Sequence, residues 1–137
     1  MTTTTTNSVL SRAESLCEAL VQNFIKYSIR SHLRSALSAD TLYGSKFHQQ
    51  RAEELENGIG AYKFYIESGR KYHKIWMETD GNSRSVHAFV DKVTGDVYKP
   101  ASVKAPAKGV RFNLMNDTSF NEVISTCDWA GSYLYIR

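Results

Sequence analysis

The sequence is short of the features that mark several protein classes. Its 137 residues include only two cysteines and two prolines. Cys17 and Cys127 lie too far apart in the chain for a disulfide framework or a zinc cluster. No run approaches the roughly 20 apolar residues of a membrane span, and no apolar segment follows the N-terminus as in a secretory signal. We therefore expect a protein of a reducing compartment, the cytoplasm, with no membrane as partner.

Sequence patterns of catalysis and cofactor binding are also missing. The stretch Ala105–Gly109 superficially resembles a phosphate loop, but it lacks the glycine spacing and the following Ser or Thr. His73 and His87 could face each other across a hairpin, yet no Cys, Asp or Glu stands at ligand spacing. Cys127 has no histidine nearby to activate it. The sequence predicts a non-enzyme with no catalytic residue, no cofactor and no metal site.

The composition is that of one globular domain, with 42% hydrophobic and 23% charged residues. The net charge of +3 is spread unevenly along the chain. Residues 1–60 hold six basic and six acidic side chains, residues 61–111 hold ten and five, and residues 112–137 hold one and three. A polyanionic partner should therefore meet the middle segment. The alternative interpretation is an ordinary solvated β surface.

The N-terminal part is predicted to be a disordered leader, residues 1–7, followed by a helical segment, residues 8–58. Apolar residues recur every three or four positions from Ser11 to about Leu37, which is typical of one stripe on a helix: Leu10, Ala13, Cys17, Leu20, Phe24 and Tyr27. Ser11 and Glu14 fit a capping box. A second, very polar helix is predicted from Ser45 to Glu56.

The first helix is long for a domain of this size. At about 1.5 Å per residue it would reach roughly 40 Å, whereas the radius of gyration should be near 14 Å. It should therefore break near Ser28–Ser31, lie across its own sheet, or project beyond the domain. A projecting apolar stripe would need a partner, such as another copy of the chain.

After Gly60 the hydrophobic period changes to two, which predicts short antiparallel strands. The predicted strands are 62–67, 72–77, Arg84–Asp91, Asp96–Ser102, 110–114 and 133–136. Tight hairpins are expected at Asp80–Asn82 and Lys92–Gly95, and Asp117 is expected to cap a short helix that ends near Cys127.

Residues 59–137 are therefore predicted to fold as a small barrel of five or six antiparallel strands, because closure removes unpaired edges. The predicted fold class is mainly β with N-terminal α: helices followed by an SH3/Sm-like barrel. An OB fold is the alternative barrel. In the Arg84–Asp91 strand, Val86, Ala88 and Val90 should share one face, with His87 and Phe89 on the other.

Aromatic and basic residues alternate within the predicted strands. Tyr72, Lys74 and Trp76 share one strand face, and Lys63 and Tyr65 should adjoin them. Single-stranded nucleic acid is held by such rings and cations, with bases stacked on the rings and phosphates on the cations. The candidate nucleic-acid-binding residues are Arg70, Tyr72, Lys74, Trp76, Lys99, Lys104, Lys108 and Arg111. The alternative is that Tyr and Lys merely alternate on amphipathic strands.

Three segments, Tyr72–Met77, Arg84–Ser102 and Tyr133–Arg137, resemble a family of small tailed-phage proteins of marine cyanophages. The resemblance covers roughly residues 60–137. It implies a phage-encoded protein of the host cytoplasm with an Sm-like fold, a homo-oligomeric ring and single-stranded RNA binding. The Asp-x-x-Met-Asn and Arg-Gly loops of cellular Sm proteins are absent; the nearest equivalent is Ile136-Arg137, with no glycine after it. No Sm base-reading residue can therefore be assigned.

Other functions stay open at this level. The chain could be a protein–protein interaction or virion assembly module that binds a host or phage protein. It could also be a ring that sequesters a small nucleotide. The sequence does not distinguish RNA from DNA.

Overall fold

The computed structural model describes residues 2–79 and 83–135, and it opens with a single long helix, α1 (Thr2–Ser38). Its 37 residues give a length of about 55 Å at about 1.5 Å per residue. Because α1 starts at Thr2, residues 2–7 of the predicted disordered leader are helical, and Ser11 lies inside the helix. The predicted capping box at Ser11 is therefore wrong.

Of the three alternatives for the long helix, the break near Ser28–Ser31 is not found, because α1 is continuous there. A second helix packs along this part of α1. This helix, α2 (Leu42–Glu56), runs back beside α1. Ala36 on α1 and Leu55 on α2 are buried, and the Nδ1 atoms of His32 and His48 share a hydrogen bond of 2.9 Å. The two helices thus form a hairpin that extends α1 beyond the sheet.

α2 starts earlier than predicted because Thr41 caps it. The Thr41 Oγ1 atom accepts a hydrogen bond of 3.0 Å from the backbone N–H of Gly44, which satisfies one of the free donors of the first turn. The helix ends at Glu56 as predicted, and Gly58 then adopts a φ of 79°.

Five antiparallel strands follow in the order of the chain: β1 (Lys63–Ser68), β2 (Tyr72–Glu78), β3 (Arg84–Asp91), β4 (Asp96–Tyr98) and β5 (Phe112–Asn113). The predicted Asp80–Asn82 hairpin lies outside the described residues. Gly95 has the positive φ, 79°, that the second predicted hairpin requires. The five antiparallel strands are confirmed.

The sheet is open, with β1 and β5 as its edges, so the expected barrel closure is not found in the described part of the chain. β4 and β5 contain only three and two residues. The segment expected to supply the last strand instead forms a short 3-10 helix, Ser132–Leu134; Ile136 and Arg137 lie outside the described residues. Before it comes α3 (Asp117–Thr126), capped by Asn116 and not by Asp117. The architecture is mixed α/β, with α1 covering one face of an open sheet.

A β-bulge changes the faces of β3. Ile75 pairs with Ala88 and Trp76 pairs with Val86, so β3 has one extra residue, His87. The bulge moves Val86 to the face of Trp76 and leaves His87 buried on the core side, against the strict alternation that was predicted. His73 pairs with Val90, so His73 and His87 do not face each other.

The core lies between α1 and one face of the sheet. Val9, Ala13, Leu16 and Leu20 of α1 are fully buried, as are their partners on the sheet and in the C-terminal segment: Ile75, Ala88, Val90, Val97, Leu114 and Val123. Tyr27, counted in the predicted stripe, is 53% exposed. No helix within the described ranges has the length and apolarity needed to cross a membrane.

Two histidines are buried in this core. His87 Nε2 lies 2.8 Å from the Tyr133 hydroxyl, and burial lowers the pKa of His87 to about 4. His73 Nδ1 lies 2.7 Å from Ser68 Oγ, while its Nε2 has no hydrogen-bond partner. Burial lowers the pKa of His73 as well.

We expect the stability of the fold to fall with acid because of His87. A histidine whose folded pKa is lowered gives full stability above its unfolded value, 6.5. The stability is lost as the pH falls from 6.5 towards 4, by up to about 3 kcal/mol at about 1.4 kcal/mol per pKa unit. Urea denaturation at pH 7 and pH 5 should show a clearly smaller loss for His87→Gln than for the wild-type protein. Equal losses in the two proteins would contradict this assignment.

Candidate nucleic-acid interface

The face of the sheet opposite α1, here called the outer sheet face, is covered by no helix of the described chain. The strand register brings polar and aromatic side chains together there: Tyr65 and Glu67 from β1, Tyr72, Lys74 and Trp76 from β2, Arg84 and Phe89 from β3, and Tyr98 from β4. Period-two alternation on β1, β2 and β4 is what places them on one side.

Trp76 is at the centre of this face but is only 5% exposed. Its indole N–H donates to Glu67 Oε1 at 3.3 Å. The guanidinium carbon of Arg84 lies 4.1 Å from its ring centroid, and Lys74 Nζ lies 5.7 Å away. The ring faces cations of its own protein, so Trp76 is a support of the surface and not a free stacking platform.

Tyr65, Tyr72 and Tyr98 are half-buried rings of the outer sheet face. Tyr72 packs edge-on against Phe89, with ring centroids 5.7 Å apart, and against Tyr98 at 6.1 Å. Phe89 itself is fully buried beneath them. Burial and the nearby Asp96 raise the pKa of Tyr98, so its hydroxyl is neutral at physiological pH.

Cations lie beside these rings. Arg70 and Lys71 are exposed in the turn before β2, and Lys71 Nζ lies 5.4 Å from the ring centroid of Tyr72. Lys74 is half-buried between Trp76 and Phe89. Tyr72 and Lys74 therefore share the outer sheet face, and Arg70 lies in the turn that leads into it.

The sequence reasoning missed Arg84, which is exposed at the start of β3. Its guanidinium donates to the Tyr65 hydroxyl at 3.2 Å, and this hydrogen bond raises the pKa of Arg84. Pairing β3 against β2 would have found it, because Arg84 is opposite Glu78 and two residues from the partner of Trp76.

The basic residues of the loop between β4 and β5 are dispersed. Lys104 and Lys108 are exposed, and the loop is pinned by a bridge between Pro100 and Pro106. Its first part reaches the rim of the outer sheet face, where Val103 and Arg84 line one cleft of about 280 Å³.

Lys99 and Arg111 are half-buried and contact the C-terminal segment of their own chain. Lys99 Nζ lies 4.3 Å from the ring of Tyr135, because Lys99 follows Tyr98 and alternation directs it to the other side. The Arg111 Nε–H donates to the Leu134 carbonyl at 2.7 Å, and its Nη1 donates to the carbonyls of Gly109 and Lys108. Arg111 therefore anchors the C-terminal segment instead of facing a ligand.

Acidic side chains share the outer sheet face and limit where a polyanion can approach. Glu67 accepts from Trp76, and Glu78 lies 4.0 Å from Lys63. Asp91 Oδ1 accepts from the backbone N–H groups of Val93 and Thr94. Glu67 and Glu78 lie near Arg84 and favour its charged form, so a phosphate at Arg84 would also meet these two carboxylates.

The described residues, 2–79 and 83–135, hold no cluster of three or more His, Cys, Asp or Glu that could bind a metal ion. Both cysteines are buried. Burial raises the pKa of Cys17 to about 12 and that of Cys127 to about 11, so both are protonated thiols at neutral pH. The outer sheet face suits a ligand that stacks on aromatic rings and contacts cationic side chains.

Comparison with known proteins gives one result. No curated protein and no solved structure matches the chain. A family model matches residues 1–136, nearly the whole sequence, and its description is "Family of unknown function (DUF7717)". The match spans the helical hairpin, the sheet and the C-terminal segment together, and the chain belongs to this family.

Proposed function

We propose that this protein is a non-enzymatic binder of single-stranded nucleic acid that acts in the cytoplasm of a phage-infected host. One observation carries the proposal. α1 covers only one face of the sheet, and the other face presents half-buried Tyr72 and Tyr98 with Lys74 over the neighbouring Phe89, and Arg84 over Trp76 towards the opposite end of β2.

The burial of Trp76 shapes how binding would occur. Stacking falls to Tyr72 and Tyr98, each base contributing on the order of 1–3 kcal/mol. Lys74, Arg84 and the Arg70 turn supply the phosphate contacts, which are sequence-independent. Lys104 and Lys108 extend the basic rim along the loop. RNA is the favoured ligand because the phage-family resemblance implies it, and DNA is the alternative.

Self-association is a second candidate property, favoured by the end of the helical hairpin. Five large apolar side chains are exposed there and form what we call the hairpin tip: Leu33, Leu37, Leu42, Tyr43 and Phe47. Leu37 is 91% exposed and Tyr43 is 81% exposed. Large apolar side chains exposed together at one end of a helical hairpin favour an interaction site.

We propose a second copy of the chain as the partner of the hairpin tip. The tip carries both signs of charge, with Asp40 between Arg34 and Lys46 in the chain, so two tips related by a two-fold axis can match opposite charges. Tip-to-tip contact would give a dimer. The Sm-like ring implied by the phage resemblance would need a head-to-tail contact that repeats until it closes.

The binding proposal is tested by Arg70→Glu with Lys74→Glu. Affinity for a fluorescent single-stranded oligonucleotide should fall at least tenfold, because two cations become anions. The slope of log affinity against log salt should fall by about 1.4, roughly 0.7 for each phosphate that is no longer neutralised. Fluorescence anisotropy at several salt concentrations measures both.

The matched control is Arg70→Lys with Lys74→Arg, which keeps both charges and should bind like the wild-type protein. Circular dichroism establishes that each variant is folded. Unchanged affinity in the Glu variant would remove the outer sheet face as the binding site.

The self-association proposal predicts that Leu37→Ser with Tyr43→Ser lowers the molar mass measured by light scattering to that of a monomer. The oligomer should dissociate because the most exposed apolar surface of the tip is removed. Ile59→Ser with Val93→Ser is the control, since both side chains are more than half exposed elsewhere. A wild-type protein that is monomeric would overturn the proposal.

A further inference from the structure

A cleft of about 350 Å³ opens on the side of α1, away from the outer sheet face, where α1 meets the loop that follows α3. Asn23, Lys26, Tyr27 and Arg30 line it from α1, at spacings of three and four that place them on one helix face. Trp129 lines the opposite wall. We call this the α1–Trp129 cleft.

The aromatic wall of the cleft is held rigidly. Trp129 packs edge-on against Phe24, with ring centroids 5.6 Å apart, and against Tyr62 at 5.8 Å. Its backbone N–H donates to Asn23 Oδ1 at 2.9 Å. Tyr27, 53% exposed, lies with its ring centroid 5.5 Å from that of Trp129. Trp129 is therefore the fixed ring of the cleft, and Tyr27 is the ring that a ligand can reach.

The cleft is also positively charged. Lys26 and Arg30 are exposed one turn apart, and neither takes part in the ion pairs found within residues 2–79 and 83–135. Asp128 is the acidic residue among the lining side chains. Its carboxylate accepts from Ser132 Oγ at 2.8 Å and from the Tyr133 N–H at 3.0 Å, so it is committed to the start of the 3-10 helix.

We propose that the α1–Trp129 cleft binds one nucleotide unit. The base would stack on Tyr27 beside Trp129, and the phosphate would lie between Lys26 and Arg30. Ring and cation recognise the two ends of the same ligand, and about 350 Å³ is at the small end of ligand sites. The unit is either a free nucleotide or one residue of a strand. The cleft is separate from the outer sheet face, so a ligand can bind at one of the two sites and not at the other.

The two tryptophans of the chain make each site observable by itself. In a Trp76→Phe background, Trp129 is the only tryptophan, and its fluorescence reports the cleft. Titration with adenosine 5′-monophosphate should change this emission, whereas adenosine or inorganic phosphate alone should bind at least tenfold more weakly. A ten-residue oligoadenylate provides the strand. Binding of the monophosphate identifies a free nucleotide as sufficient, and response to the oligonucleotide alone identifies a strand residue.

Substitutions in the cleft test whether the change in Trp129 fluorescence comes from a ligand bound there. In the same background, Lys26→Glu with Arg30→Glu should weaken binding at least tenfold, and Tyr27→Ala about tenfold through loss of stacking. Lys46→Glu with Lys63→Glu, two exposed lysines away from the cleft, changes the net charge equally and should leave the Trp129 response unchanged. All the substituted cleft side chains are exposed, so circular dichroism should show unaltered folding.

Two results would overturn the proposal that the α1–Trp129 cleft binds a nucleotide unit. One is the absence of any Trp129 response to the monophosphate and the oligonucleotide. The other is a response that survives Lys26→Glu with Arg30→Glu. The outer sheet face is followed independently in a Trp129→Phe protein through Trp76, so failure of the cleft and failure of the proposed function give different outcomes.

Discussion

The structure depends on the burial of one apolar stripe of α1 against one face of the sheet. Val9, Ala13, Leu16 and Leu20 are each fully buried there, and apolar burial of this kind is the main favourable term in folding. A two-layer arrangement leaves the second sheet face without a helix. Phe89 on that face is nevertheless fully buried, and its neighbours there are Tyr72, Lys74 and Tyr98. The aromatic and basic pattern is therefore a structural cover as well as a candidate surface.

Much of the fold could be predicted because it follows from local periodicity. The alternation of β1 to β3 and the polar helix ending at Glu56 needed only neighbouring residues. The predictions that were wrong concern segments whose conformation depends on contacts with residues distant in the sequence. α1 stays unbroken at Ser28–Ser31 because α2 packs on it, and the bulge at His87 depends on pairing with β2. The final segment alternates like a strand, yet Asp128 bonds to the Tyr133 N–H and starts a 3-10 helix.

The candidate site was predictable to the same extent. Tyr72 and Lys74 share a face by alternation alone, whereas the burial of Trp76 depends on Arg84 and Glu67 from two other strands. Arg111 shows the limit of residue type as a guide. A guanidinium has several donors in a fixed fork, and here the donors bind backbone carbonyls of its own chain.

The net charge of each sequence segment gives no indication of the α1–Trp129 cleft. Lys26 and Arg30 belong to the N-terminal 60 residues, whose six basic and six acidic side chains cancel. Trp129 is distant in sequence and reaches α1 through its hydrogen bond to Asn23 and its packing against Tyr27. A ligand held between Tyr27 and Trp129 would bind the docked C-terminal segment and not the undocked one. By mass action it would therefore stabilise the attachment of that segment to α1, which couples occupancy of the cleft to the integrity of the C-terminal segment that Arg111 also anchors.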